Sequence, residues 1–292
     1  MFIKQITKTI DKVFGSRRSG DQDDIRLYES SGRLPWSHGY KQYRARYIRN
    51  IIIDSMYMNR FASNSNLPGG HGLRLDERVV EYPWILSRLG NKGASLLDAG
   101  SALNHAYLLD LDIMRCRKVV ICTLAPEAVH RRNNVSYVYD DLRNTMFRNE
   151  YFDDIVCIST LEHVGMDNTL HYIQDIRFKE QAGEDYRLVV REFARILKPG
   201  GKLYISVPVG VNDSLGWMQL FDSRMIARMA DSFEGTVEDS AHFKYSAEGW
   251  QFATAAECAD CRYFDVNKRG GFDPDFAAAA RAVCCLMLEK KS

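Results

Sequence analysis

The sequence has no long hydrophobic run and no marked excess of charge of one sign. No stretch approaches the roughly 18 consecutive apolar residues of a membrane span, and the first residues lack the apolar core of a secretory signal. The 39 basic and 38 acidic residues leave a formal net charge of +1, which gives no support for a nucleic-acid binder. With 46% hydrophobic and 26% charged residues, the chain is expected to be globular and cytoplasmic.

The seven cysteines show no disulfide framework. Four of them lie within apparent strands, which indicates buried thiols in a reducing compartment: Cys122, Cys157, Cys284 and Cys285. Cys258 and Cys261 form a C-x-x-C pair with no second pair at metal-ligand spacing. We therefore expect no metal site.

Glycine is scarce in the one stretch that reads as a ligand-binding turn, Leu96–His105. An apolar run ends there in an acid and breaks into small residues, but only the first glycine of a G-x-G-x-x-G fingerprint is present. Gly100 can adopt the backbone angles of a tight turn, and Ala102 is too small to block a ligand. Asn104 tolerates the left-handed conformation. A helix over residues 105–111 would then point its first N–H groups at the ligand.

The N-terminal third carries helical patterns. Over Met1–Phe14 the apolar residues share one face and the lysines lie away from it. Such a helix either lies on an anionic membrane surface or docks on its own domain or a partner. Residues 28–60 are basic and aromatic, and their aromatic stripe forms either core or a lid that stacks on a substrate. Over residues 75–89 the period is helical, with Pro83 kinking the helix or opening a second one.

From residue 95 onward, apolar strands alternate with helices, which predicts a mostly parallel, doubly wound α/β sheet. Strands are expected near residues 96–99, 117–123, 135–138, 151–159, 202–207 and 282–288. A helix over residues 186–197 stops at Pro199-Gly200-Gly201, which is expected to form a tight turn. Phe221-Asp-Ser before Met225 predicts a capped helix. Ligands of such sheets lie beyond the carboxyl ends of the strands. We expect an N-terminal accessory or lid region at residues 1–75 and the main domain at residues 76–292.

Four motifs in order resemble the class I S-adenosylmethionine-dependent methyltransferases, closest to methyltransferase type 11. They are Leu96-Leu-Asp-Ala-Gly100; Asp140-Asp141-Leu142; Phe152-Asp153 with Ser159-Thr-Leu-Glu162-His163-Val-Gly165; and Leu197-Lys-Pro-Gly-Gly-Lys-Leu203. The resemblance spans roughly residues 95–210. It implies the Rossmann-like class I methyltransferase fold with an N-terminal helical extension, and S-adenosylmethionine as cofactor.

The resemblance also implies where the cofactor lies. Its methionine part is expected over Gly100–Asn104, and its adenine beside Asp141 and Leu142. The implied cofactor-binding residues are Asp98, Gly100, Ser101, Ala102, Asn104, Thr123, Asp141, Leu142 and Ser159. We expect Gly100→Val to block the cofactor while leaving the fold mostly intact.

The ribose ligand departs from the family pattern. The family places an acid at the end of the second strand, whereas this chain has Thr123. Hydrogen bonds to charged groups contribute roughly 1.5–3 kcal/mol, so the loss corresponds to about a ten- to hundredfold weaker cofactor complex. Either another residue compensates or the affinity is low. Without compensation, Thr123→Asp would tighten cofactor binding.

Transfer of a methyl group to a hydroxyl or an amine needs a base. His163, just past the fourth strand, is the first candidate because histidine titrates near neutral pH. Its neighbour Glu162 shares the role or holds structure, and His105 is the second candidate. A histidine that only packs or caps is the alternative.

We therefore expect a methyltransferase that acts on a small polar molecule or a glycan intermediate, by transfer to oxygen. Its lid would be formed partly by residues 165–185. The basic aromatic N-terminus would suit a sugar phosphate or an anionic, membrane-associated precursor, with peripheral membrane contact through residues 1–15. The alternative is a non-catalytic partner or scaffold protein with the cofactor fold.

Overall fold

The computed structural model describes residues 20–90, 94–170, 172–212, 214–265 and 270–291. The helix expected over Met1–Phe14 lies outside these residues. Within them, none of the helices has the length and apolar character needed to cross a membrane. They also contain no cluster of three or more His, Cys, Asp or Glu side chains suited to a metal ion.

Eight strands form one sheet in the described residues, in the order β3-β2-β1-β4-β5-β8-β6-β7. Their bounds are β1 Ser95–Ala99, β2 Lys118–Thr123, β3 Val135–Tyr139, β4 Phe152–Ile158, β5 Leu197–Pro208, β6 Gly235–Ser246, β7 Gly249–Ala253 and β8 Ala282–Lys290. β1 to β5 are parallel, whereas β8 runs antiparallel between β5 and β6. This confirms the predicted mostly parallel, doubly wound sheet. The strand order changes direction between β1 and β4, because β2 and β3 lie on one side of β1 and β4 and β5 on the other. Such sheets bind ligands at this point.

The helices cover both faces of the sheet. They are α1 at residues 20–30, α2 Tyr40–Ile53, α3 Ser55–Ala62, α4 Arg78–Leu86, α5 Ala106–Leu109, α6 Asp112–Arg115, α7 Tyr186–Ile196, α8 Ser223–Asp231 and α9 Ala255–Cys258. Pro83 lies inside α4, which continues through it as one helix. α5 begins where the sequence predicts a helix but has only four residues. Asp222 caps α8 by accepting a hydrogen bond from the Met225 N–H at 2.8 Å, as expected.

Alternate strand residues face opposite sides of the sheet and enter two hydrophobic cores. Leu96 packs with the core of the N-terminal helices, which includes Tyr40 and Trp84. Leu97 packs with the opposite core, which includes Phe193 of α7. The aromatic stripe of α2 is therefore largely core, with Tyr40 buried. Because the N-terminal helices and the first strands share a core, the N-terminal region forms a wall of the molecule beside the ends of the strands.

The turn predicted at Pro199-Gly200-Gly201 is a bulge inside β5. Phe152 of β4 pairs with Leu197, and the next regular pair joins Asp154 to Lys202. Gly200 has a φ of +71° with open space around it, so the left-handed backbone is accommodated by glycine.

Candidate functional site

A cavity of about 240 Å³ lies at the carboxyl ends of the parallel strands. Six of the residues that the sequence singled out line it at the ends of β1, β2, β3 and β4: Gly100, Thr123, Asp141, Leu142, Ser159 and His163. The residues 165–185, named here the 165–185 segment, contribute Tyr172, Phe178 and Glu180 to the wall. The remaining expected residues lie behind this wall rather than in it.

Gly100 is required by the fold as well as by a ligand. Its φ is +103°, and a Cβ at this position would lie 2.1 Å from Oγ1 of Thr160. The Gly100 N–H donates to the Cys122 carbonyl at 2.8 Å. A side chain at residue 100 thus overlaps the start of the loop after β4. The expectation that Gly100→Val leaves the fold mostly intact is wrong for this reason.

Asp98 holds the turn from beneath. It is buried, and its Oδ2 accepts a hydrogen bond from the Leu103 N–H at 2.9 Å. Burial raises the pKa of this carboxyl to about 8. Its Oδ1 has no hydrogen-bond partner among the described residues. The Ala102 carbonyl in the same turn accepts from the Tyr82 hydroxyl at 2.7 Å, so Asp98 and Tyr82 fix the backbone over which a ligand would lie.

A carboxylate that the sequence argument missed lies beside Thr123. Glu127 accepts hydrogen bonds from the Ser101 hydroxyl at 2.7 Å and from the Thr123 hydroxyl at 3.3 Å, and it lines the cavity. It lies four residues past the end of β2, and it is the only acid between Thr123 and Val135. The absence of any other acid in this stretch was the available signal for Glu127. The ribose-binding acid was instead expected at the end of β2, at Thr123.

Asn104 braces the loop that carries Glu127. Its Nδ2 donates to the Ala128 carbonyl at 2.9 Å, and its Oδ1 accepts from the Tyr137 hydroxyl at 2.9 Å. The same hydroxyl accepts from the His130 N–H at 2.8 Å. Asn104 therefore acts on the loop between β2 and β3 from behind the cavity wall.

Asp141 is engaged by an arginine that spans the cavity. Arg143 donates from Nη2 to Asp141 at 2.7 Å and to Glu180 at 2.9 Å, and from Nη1 to Asp185 at 2.8 Å. Burial alone would raise the pKa of Asp141, but the hydrogen bonds from Arg143 lower it below its ordinary value. Asp141 is thus ionised and tied to the 165–185 segment.

His163 is held in one tautomer by its neighbours. Its Nδ1 lies 3.0 Å from the Trp217 carbonyl, and its Nε2 lies 3.2 Å from the Tyr172 hydroxyl. A carbonyl only accepts, so Nδ1 carries the proton and the Nε2 lone pair accepts. The imidazole also stacks on the Trp217 ring, with centroids 5.3 Å apart.

Glu162 lies behind His163, with Oε1 3.9 Å from Nε2. It is 3% exposed, and burial raises its pKa well above the ordinary value. The Ser159 hydroxyl points to α4 and donates to Glu81 at 2.7 Å. His105 lies outside the cavity wall and stacks on Tyr107, and burial lowers its pKa to about 4.

The wall suits a ligand with a flat aromatic part and a hydroxylated part. Leu124, Leu142 and Phe178 supply apolar surface, and Glu127 and Asp141 supply carboxylate acceptors. The turn at Gly100 leaves the backbone open on the cavity side. S-adenosylmethionine, with an adenine ring, a ribose diol and an amino acid part, fits these residues.

Comparisons with known proteins agree with this fit. A family model described as a methyltransferase domain, of methyltransferase type 11, matches residues 97–205. A search of curated proteins gives no significant match.

Three solved structures are similar to the chain. The N-methyltransferase NodS from Bradyrhizobium japonicum is 14% identical with a TM-score of 0.45, covering 74% of this chain and 97% of NodS. An S-adenosylmethionine-dependent methyltransferase from Mesorhizobium loti is 13% identical with a TM-score of 0.44, covering 72% and 97%. The cyclase SpnF is 14% identical with a TM-score of 0.45, covering 86% and 96%. At these scores we take neither acceptor nor reaction from them. The family match assigns residues 97–205 to a methyltransferase domain of type 11, which is a class I S-adenosylmethionine-dependent methyltransferase domain.

Proposed function

We propose that this methyltransferase transfers its methyl group to an oxygen atom of a small polar molecule or a glycan intermediate. The observation that carries the proposal is the tautomer of His163, which leaves the lone pair on Nε2 at the cavity wall, where the Tyr172 hydroxyl contacts it and a substrate hydroxyl would take its place. A hydroxyl acceptor must lose its proton, and a neutral imidazole accepts one near neutral pH. The Nδ1–H bond to the Trp217 carbonyl keeps the ring oriented while it does so.

The surroundings of His163 support a hydroxylated acceptor. Tyr172 and Trp217 contact the imidazole, and Tyr263 meets Trp217 edge to face with centroids 5.9 Å apart. Aromatic side chains with polar ends bind ligands that are apolar on one face and polar at the edges. Burial raises the pKa of Tyr263 well above its ordinary value, so its hydroxyl keeps its proton and can donate a hydrogen bond.

We assign the cofactor residues as follows. S-adenosylmethionine supplies an electrophilic methyl group on a positively charged sulfonium. Asp98, Ser101, Ala102 and Asn104 shape the turn over which its methionine part lies, with Gly100 facing it. Asp141 and Leu142 take the adenine, and Ser159 completes the edge at β4. Their main task is alignment of nucleophile, methyl and sulfur.

We propose that the 165–185 segment is a lid. It lines the cavity with Tyr172, Phe178 and Glu180, and Arg143 ties it to the loop after β3. We also propose residues 1–75 as an accessory region and residues 76–292 as the methyltransferase domain. A hydrogen bond joins the two, since the Tyr40 hydroxyl of α2 donates to Asp76, just before α4, at 3.1 Å.

Glu162 is proposed to position the base. It is too buried to meet an acceptor directly, and its Oε2 has no hydrogen-bond partner among the described residues. Its carboxyl lies next to the ring that would gain a proton. His105 is the less favoured base because it lies outside the cavity wall. The alternative of a non-catalytic partner protein is disfavoured by the same cavity. It is lined both by Gly100 of the cofactor turn and by His163, whose Nε2 can act as a base.

Peripheral membrane contact through residues 1–15 is a separate proposal, based on their basic amphipathic pattern. Full-length protein should sediment with vesicles that contain anionic lipid, and protein lacking residues 1–15 should stay in the supernatant. Neutral vesicles are the control. A full-length protein that never sediments would leave docking on protein as the role of residues 1–15.

The proposed reaction is tested by release of S-adenosylhomocysteine. Purified protein and S-adenosylmethionine are incubated with fractions of a metabolite extract, separated by polarity, and the His163→Ala variant runs in parallel. We expect release with a polar, hydroxyl-bearing fraction and a product methylated on oxygen. A product methylated on nitrogen would overturn the oxygen assignment, and turnover unaffected by His163→Ala would overturn the base.

A further inference from the structure

We propose that Glu127 binds the two ribose hydroxyls of the cofactor, so that the acid missing at the end of β2 is supplied from the following loop. The inference rests on the cofactor assignment of the proposed function. It changes the role of Thr123, which becomes a residue that orients Glu127 instead of a weak substitute for an acid.

The hydrogen bonds of Glu127 leave room for a diol. A carboxylate has about four lone-pair sites on its two oxygens. The Ser101 hydroxyl donates to Oε2 and the Thr123 hydroxyl to Oε1, so one protein donor occupies each oxygen. Each carboxylate oxygen can therefore accept one more hydrogen bond. The two adjacent hydroxyls of a ribose supply two donors, one for each oxygen.

The position of the carboxylate is fixed from two strands. Ser101 belongs to the turn after β1, and Thr123 ends β2. Ser101 has a left-handed φ of +65°, a conformation that is uncommon in a residue other than glycine. This backbone places its hydroxyl on Glu127. Asn104 holds the next residue of the loop, Ala128, at 2.9 Å.

Charge separates Glu127 from the other acids of the wall. Asp141 and Glu180 both form ion pairs with Arg143. Three carboxylates line the cavity within the described residues, and Glu127 is the one that forms no ion pair there. Charge-assisted hydrogen bonds are roughly twice as strong as neutral ones, so a hydroxylated ligand gains most at this carboxylate.

The test combines one substitution in the protein with one change in the ligand, and calorimetry measures the affinity of each pair. The ligands are S-adenosylhomocysteine and its 2′,3′-dideoxy analogue, and the proteins are wild type, Glu127→Gln and Glu234→Gln. Glu234 is an exposed acid outside the cavity and serves as the matched control. We expect Glu127→Gln to weaken S-adenosylhomocysteine about 10- to 100-fold, to leave the dideoxy analogue nearly unchanged, and to remove the preference for the diol.

Three outcomes overturn the inference: a wild type without preference for the diol, a Glu127→Gln variant that keeps the preference, or equal effects of Glu127→Gln and Glu234→Gln. Circular dichroism checks that each variant is folded. Because Glu127 is exposed on a loop, its replacement leaves both hydrophobic cores intact. A failure of the proposed reaction looks different, since methyl transfer to oxygen would be absent while the Glu127-dependent preference for the diol remains.

Discussion

The imidazole of His71 bonds the Val79 carbonyl, with Nε2 at 3.1 Å from the oxygen. Val79 precedes Pro83 by four residues, so in a regular helix its carbonyl would accept from residue 83. Proline has no N–H, and His71 supplies the missing donor from outside the helix. This explains why α4 continues through Pro83 without ending, which the sequence pattern of residues 75–89 could not decide.

His71 should make the free energy of unfolding fall in acid. Burial lowers its pKa from 6.5 to about 4, so the unfolded chain binds a proton first as the pH falls. The contribution is complete above pH about 6.5 and is lost towards pH 4, by about 3 kcal/mol at most. His105, with a pKa also near 4, adds to the same window. Urea unfolding between pH 7 and 4 should show that the free energy of unfolding depends less steeply on pH for His71→Gln than for wild type. Equal slopes for wild type and His71→Gln would contradict the assignment.

His163→Ala should lower turnover by about 10²–10⁴, the usual contribution of general acid–base catalysis, with cofactor affinity nearly unchanged. Wild-type activity should fall in acid, because a protonated imidazole cannot accept a proton. Tyr172→Phe is the comparison, since it removes the hydroxyl at 3.2 Å from Nε2 but keeps the ring. Kinetics measures turnover, and calorimetry measures cofactor affinity. A His163→Ala variant that loses cofactor binding or unfolds would show that His163 has a structural role.

Gly100→Ala should destabilise the fold more than Gly200→Ala. Both glycines have left-handed backbones, with φ of +103° and +71°, but only at Gly100 would a Cβ overlap Thr160. The backbone strain costs about 1–2 kcal/mol at either site, and the overlap adds about 1–3 kcal/mol at Gly100. Urea unfolding measures the difference. Equal losses would mean that the Thr160 side chain moves aside without cost.

Thr123→Asp should weaken cofactor binding, contrary to the tightening expected when no other residue compensates. The Thr123 hydroxyl lies 3.3 Å from Glu127, so an aspartate would remove a donor and place like charges together. Glu127→Gln in the same chain removes the repulsion and should recover part of the affinity. Calorimetry with S-adenosylhomocysteine measures both variants. Tighter binding by Thr123→Asp alone would show that Glu127 leaves the ribose unbound.

The fold was predictable where local sequence decides it. Buried apolar runs such as that of β1 specify strands, and polar residues just after them lie at the ligand edge, so Gly100, Thr123 and His163 were located from spacing alone. The roles of Glu127 and Asn104 depend on contacts between loops that are separated along the chain, for which a single sequence offers no local signal. The bulge at Gly200 was read as a turn because a glycine with a left-handed backbone fits both structures.

The antiparallel strand β8 has a consequence for how the molecule is assembled. β8 follows β5, β6 and β7 along the chain, yet it lies between β5 and β6 in the sheet. During synthesis the edge of β5 therefore stays unpaired until residues 282–290 have emerged, and the β6–β7 hairpin has no sheet to join before then. Unpaired edges invite association between chains, so nascent molecules are exposed to aggregation up to the last strand. Chaperone dependence and the yield of soluble protein should be most sensitive to substitutions that slow the docking of β8.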